Sequence, residues 1–167
     1  MRFEVLSKKH TEQLLAFEQH NRQWFESLIS PRADTFYSVA GVSEHIHSLT
    51  QAMAYGQGFS GVILKDDTIV ARGNLTDISH QTASVGYRVA QNHTGQGIAS
   101  FCLSQLISVA KTKLALNSLE AKVLDNNAVS AHVLLKQGFT KRGYSENFMT
   151  LNKQEFGCSH FKLEFTK

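Results

Sequence analysis

The feature that most limits what this chain can fold into is a glycine-punctuated turn between a strand and a long helix. Residues 84–90, centred on Gly86, Tyr87 and Arg88, read as a strand. A polar turn follows, carrying Gly95 and Gly97, and apolar residues then recur at helical spacing: Ile98, Phe101, Cys102, Leu106, Val109 and Ala110. Such a turn aims several backbone N–H groups at one point. Glycine lets a ligand approach the main chain closely, and the helix N-terminus adds about half a positive charge. The guest that suits this arrangement is a phosphate or pyrophosphate.

Composition bounds the rest. The chain has 167 residues, one proline and no low-complexity linker, so residues 1–167 read as a single domain. Hydrophobic content of 42% and charged content of 19% are those of an ordinary globular chain. No apolar run approaches the roughly 20 residues of a membrane helix, and the N-terminus lacks a signal-peptide pattern, so the expected location is cytoplasmic. Cys102 and Cys158 suggest neither a disulfide framework nor a zinc site, and Cys102 reads as a small core residue. The net charge of +3 is spread over scattered basic residues. That argues against nucleic acid as the main partner and suits an acidic ligand such as a nucleotide. His45 and His47 point to different faces of a helix, and His10 and His20 have no partnered carboxylate pattern, so no metal is expected.

Along the chain, residues 3–6 read as a first strand. Ser7 is placed to cap a helix through Leu14, Leu15 and Phe17, with a second helical piece near Trp24, Phe25 and Leu28. Residues 31–41 read as loop, and Ser43 as the start of a helix through Ile46, Leu49 and Met53. Residues 59–64 and 68–75 form a hairpin about Asp66 and Asp67, and residues 83–90 a third strand of that meander. Residues 119–124 alternate as a strand. Asn127 or a neighbour starts another helix, with Ala131, Leu134 and Leu135 inward, and Gly138 ends it. Phe139 leads into a further strand, and Phe161, Leu163 and Phe165 alternate along a last one. The order predicts a mixed α/β sheet protein, not a repeating βαβ fold.

Two phosphate-binding templates fail. A dinucleotide fingerprint wants GxGxxG, but Gly95 and Gly97 are followed by Ser100, and no GxxxxGK[ST] loop occurs. What remains resembles the acetyl-CoA motif of the GCN5-related N-acetyltransferase superfamily, [QR]-x-x-G-x-[GA], with Asn92 in the first position and both glycines matched. A second stretch, from Asn127 through Ser130 and Lys136 to Gly138 and Phe139, resembles the N-x-x-S and K-x-G-F pattern of the ribosomal-protein N-terminal acetyltransferase branch. Val85, Gly86 and Tyr87 match that branch's I-G-Y strand.

The resemblance implies a mostly antiparallel mixed sheet of about six to seven strands with flanking helices, in which the fourth and fifth strands splay apart. It implies acetyl-CoA as co-substrate, with its pantetheine arm along the strand edge at Tyr87 and Val89. The pyrophosphate would rest on the N–H groups of Thr94, Gly95, Gln96, Gly97, Ile98, Ala99 and Ser100. The N–H of Val89 or its neighbour would stabilise the oxyanion formed as an amine attacks the thioester. Asn127 would steady the thioester end and the start of its own helix. Many family members place an acidic tyrosine where this chain has Leu134. In the ribosomal-protein branch a serine at the Ser130 position is the candidate proton donor, although Ser130 also reads as a helix N-terminal cap or first-turn residue. The branch's glutamate before I-G-Y is Ser84 here, which leaves Asp77, Glu120, His80 and His132 as bases acting directly or through water. Trp24, Phe25, Phe36 and Tyr37 would shape the acceptor pocket or pack the core. The reading is acetyl transfer to a primary amine, either a small molecule or a protein N-terminal α-amine. The alternative is a catalytically silent CoA-binding module, and sheet edges near the C-terminus would admit a homodimer.

Overall fold

Asp66 and Asp67 both adopt left-handed backbone, at φ 51° and 60°, the two-residue turn whose twist matches the strands it joins. It links β2 (Phe59–Lys65) to β3 (Thr68–Ser79). A computed structural model describes residues 1–166. Before the hairpin come β1 (Arg2–Val5), α1 (Thr11–His20), α2 (Arg22–Glu26) and α3 (Val39–Ala54). After it come β4 (Thr82–Val89), α4 (Ile98–Thr112), β5 (Ser118–Leu124), α5 (Ala128–Lys136), β6 (Thr140–Leu151) and β7 (Gln154–Glu164). The seven strands lie in the order β1-β2-β3-β4-β5-β7-β6. Every neighbouring pair is antiparallel except β4 and β5, which the α4 crossover makes parallel. This is the mixed, mostly antiparallel sheet that the family resemblance implies.

Alternation along β3 assigns the faces. Gly73 backs onto Cys102 and Leu106 of α4, while Arg72 points the other way to Glu18 of α1 and His45 of α3. On the first face Ile63, Leu75, Leu103, Leu106, Leu119, Leu134 and Phe161 form one core. On the second, Leu14, Phe17, Phe25, Val42, Ile46, Val62 and Leu64 form another. Burial of each large aliphatic chain contributes about 1.5–3 kcal/mol.

Three local expectations are corrected. α3 starts at Val39, not near Ser43: the Ser38 hydroxyl accepts the Gly41 N–H at 3.0 Å and caps it. Part of the segment read as loop is therefore helical, and residues 34–36 form a single 3-10 turn. Leu135 is 53% exposed; the inward residues of α5 are Val133 and Leu134. A nine-residue helix lying on one sheet face buries too narrow a stripe to take Leu135 as a third consecutive residue after Val133 and Leu134.

Gly41 shows how tightly α3 meets the segment before it. A Cβ there would strike the Thr35 carbonyl oxygen and lie 2.6 Å from that of Phe36, both backbone atoms with nowhere to go. Glycine to alanine in a helix normally stabilises by up to about 1 kcal/mol. Gly41→Ala is expected to do the opposite and lower the melting temperature, by an amount equivalent to about 1–3 kcal/mol. A melting temperature that rises would refute this packing.

Candidate active site

β4 and β5 stay paired for only three residues: Thr82 with Ser118, Ala83 with Leu119 and Ser84 with Glu120. Beyond them β5 pairs along its length with β7, and the edge of β4 is left without a strand. On its other side β4 is fully paired with β3, and the Ala90 N–H donates to the Val70 carbonyl at 2.8 Å. Because main-chain groups alternate in direction, Val85, Tyr87 and Val89 aim their N–H and C=O groups into the gap. The gap opens into a cavity of about 340 Å³. Val85, Gly86, Tyr87 and Arg88 form one wall, Ala121, Val123 and Leu124 of β5 another, and Asn127, Ser130 and Leu134 of α5 a third.

The start of α5 carries the polar groups. The Asn127 carbonyl oxygen Oδ1 accepts the Ser130 N–H at 3.3 Å, so Asn127 caps the helix. The Ser130 hydroxyl is thus not the cap. It lies 3.0 Å from the Tyr87 hydroxyl, which also donates to the Ser130 carbonyl at 3.3 Å. Burial pushes the Tyr87 phenol up to about 12, so it remains a hydrogen donor at neutral pH.

At the far end of the gap lies the glycine turn. Gly95 and Gly97 sit at φ 75° and 78°, left-handed values, and a Cβ on either would meet only open space. Packing does not demand glycine here; the backbone angle does, and it leaves the N–H groups open to a ligand. α4 begins at Ile98 with its first intrahelical acceptor at Gly97, so its leading N–H groups have no helical partner. The Gln96 side chain folds back to the Asn92 carbonyl at 3.4 Å, and Lys65 Nζ donates to Gln96 Oε1 at 3.4 Å. Lys65 thereby puts a cation beside the turn.

The opposite wall is charged. Arg72 and Glu18, each almost wholly buried, pair at 2.9 Å. Arg72 Nη2 also meets His45 Nε2 at 3.0 Å, and burial, aided by the arginines, holds the imidazole down at about 3, so it accepts as a neutral ring. Arg88 lies 3.6 Å from Glu18 and over the Phe25 ring. Burial draws its guanidinium down to about 10, which leaves it charged at neutral pH. Asn74 also lines the cavity, with its buried Oδ1 lacking a partner among the described residues.

Of the residues singled out from the sequence, Tyr87, Asn127 and Ser130 meet at the cavity. Val89 lies just beyond it on the same open edge, and residues 94–100 form the glycine turn and the first residues of α4 that follow. Asp77, Glu120, His80 and His132 are exposed, and none lines the cavity. Nor do Trp24, Phe25, Phe36 or Tyr37; Leu28 and Ile29 stand there instead, with Phe25 in the core against Phe17. Cys102 is buried on α4, and burial pushes its thiol up to about 12, so it is no nucleophile. Sequence reasoning missed Glu18, Arg72, Arg88, Asn74 and Lys65. The one available signal was an arginine and an asparagine inside the otherwise apolar stretch of β3, residues 69–75.

Comparison with known proteins gives the family and supports the fold. Residues 2–140 match the family model described as acetyltransferase (GNAT) domain. A probable N-acetyltransferase, YjcK of Bacillus subtilis, is 30% identical over 146 residues, covering 84% of this chain and 81% of the relative. The ribosomal-protein-S5-alanine acetyltransferase of Vibrio fischeri superposes with a TM-score of 0.92 at 17% identity, over 97% of this chain and 91% of that one. A microcin C7 self-immunity acetyltransferase, solved with acetyl-CoA and AMP, superposes with a TM-score of 0.85 at 19% identity, over 98% and 92%. The structural likenesses give the fold; the domain match and the sequence relative give the kinship. This chain belongs to the GNAT family and is an N-acetyltransferase.

Proposed function

We propose that the protein moves the acetyl group of acetyl-CoA to a primary amine by direct attack on the thioester carbonyl. The observation that carries this reading is the gap between β4 and β5, with an open main-chain edge along one side and a glycine turn at its end. The pantetheine arm takes the place of the missing strand against Tyr87 and Val89. The pyrophosphate rests on the N–H groups of residues 94–100, with Lys65 nearby. The Val89 N–H faces the gap and stabilises the negative charge that grows on the thioester oxygen. As the C–N bond forms and the C–S bond breaks, the Ser130 hydroxyl, held in place by Tyr87, gives a proton to the departing sulfur and regains one from water. Among the described residues, no carboxylate or imidazole lines the cavity, so the amine enters neutral and its proton leaves to water.

In a direct test, acetyl-CoA raises the melting temperature, and a suitable amine releases free thiol from it. Gly97→Glu sets a negative side chain against the phosphates and is expected to weaken CoA binding at least 100-fold, about 2.7 kcal/mol or more. Gly97→Asn, which tolerates left-handed backbone, reports whether the fold survives substitution there. Normal CoA affinity in the folded Gly97→Glu protein would misplace the cradle. Stabilisation without thiol release across a broad amine panel would leave a CoA-binding module.

Ser130→Ala separates two roles. Because Asn127 supplies the cap, the variant is expected to melt close to the parent. Its kcat is expected to fall about 100-fold while KM for acetyl-CoA changes little. An unchanged kcat would make the hydroxyl a bystander.

A further inference from the structure

Charge does not balance on the wall of the cavity that faces α1 and α2. The buried carboxylate there is Glu18, and Arg72 takes its Oε1 at 2.9 Å. His45, bonded to Arg72, is neutral and offsets nothing. Arg88 reaches Glu18 Oε2 only at 3.6 Å, longer than a hydrogen bond, and among the described residues this is its one ion pair. Arg32 adds a further positive charge near enough to depress the His45 imidazole, and its buried Nε has no partner among the described residues. The other acids nearby are occupied: Asp125 accepts from the Tyr144 hydroxyl and the Gly157 N–H, and Glu26 pairs with Arg22. Three guanidinium groups therefore stand against one carboxylate, which Arg72 already holds. A largely desolvated guanidinium with unfilled donors gains most from an anion that presents two oxygens.

The same wall offers a place for the amine. Asn74, next but one to Arg72 on β3, turns an unpartnered Oδ1 toward the cavity, an acceptor for an amine N–H. Beside it, along the same cavity, are the open edge of β4 and Ser130, the proposed place of acetyl transfer. The volume limits the guest. About 340 Å³ is near the low end of small-molecule sites, roughly 300–1,000 Å³, and the thioester end of the donor must share it.

We infer that the acceptor is a small primary amine bearing its own carboxylate or phosphate, with Arg88 receiving the anionic group and Asn74 orienting the nitrogen. The inference rests on the acetyl-transfer reading and names the substrate class of that site. Recognition of this kind selects strongly, because a neutral analogue leaves Arg88 desolvated and unanswered.

Matched amines test it. The probes are O-phosphoethanolamine against ethanolamine, 4-aminobutyrate against 4-aminobutyramide, and a neutral alanyl peptide with a blocked C-terminus. Turnover is followed by thiol release, and binding to the CoA-saturated protein by calorimetry. At least one anionic member is expected to exceed its neutral partner at least tenfold in kcat/KM, or in affinity where turnover is slow. The phosphate and carboxylate arms identify the anion. Arg88→Gln is expected to shrink that ratio at least tenfold, and Arg88→Lys to restore part of it, while the melting-temperature rise with CoA persists. Neutral amines or the alanyl peptide matching the anionic probes would overturn the inference, as would absence of binding by every probe or an unchanged ratio in Arg88→Gln. Loss of the acetyl-CoA response in the parent protein would instead strike the acetyl-transfer reading itself.

Discussion

The parallel ladder between β4 and β5 ends after three residue pairs, and the whole site depends on that early stop. Had the two strands stayed together, the main-chain groups of Val85, Tyr87 and Val89 would be spent on β5. Instead β5 turns its other edge to β7, a ladder that runs from Ser118 to Leu124, and this holds it away from β4. A strand edge inside a domain is a liability unless something covers it. Here the uncovered length lies over a cavity, so a ligand is the natural cover. α4 completes the arrangement. Its burial through Leu103 and Leu106 fixes where the helix begins, and so where the leading N–H groups and the glycine turn point.

Alternation along β4 gives the site two chemically distinct sides. Tyr87 projects to the α4 and α5 face and meets Ser130; Arg88, the next residue, projects to the α1 and α3 face and approaches Glu18. A proton-donating pair and a cationic wall are thus set on either side of the same short piece of open main chain. Neither needs a loop to move into place. The buried Arg72–Glu18 pair holds the cationic wall, and removing one partner of such a pair typically costs about 3–5 kcal/mol because the other charge is stranded.

What could be read from the sequence follows from the range of the interactions concerned. The hairpin at Asp66 and Asp67, the helix after Gly97 and the Asn127 cap are set by neighbours in the chain, and local chemistry revealed them. The start of α3 misled because Ser43 and Ser38 both fit a cap, and the choice is made by the packing of Gly41 on Thr35 and Phe36. Leu135 misleads because it follows Leu134 directly, and the helix turns it out to solvent while Val133 and Leu134 face inward. The charged wall was invisible because Glu18 and Arg72 are 54 residues apart, and each alone looks like a surface residue. Tyr87 and Ser130 were both singled out, yet for separate reasons; their contact spans 43 residues and appears only in the fold.

Residue-resolved hydrogen exchange, with and without CoA, tests the central claim most directly. The open edge of β4 and the turn before α4 should respond together. The account predicts that CoA slows exchange at least tenfold at the amides of Tyr87 or Val89 and at several amides between residues 95 and 100. Arg88, whose N–H already faces β3, should change little. Binding that leaves both the β4 edge and the glycine turn exchanging as before would contradict the account.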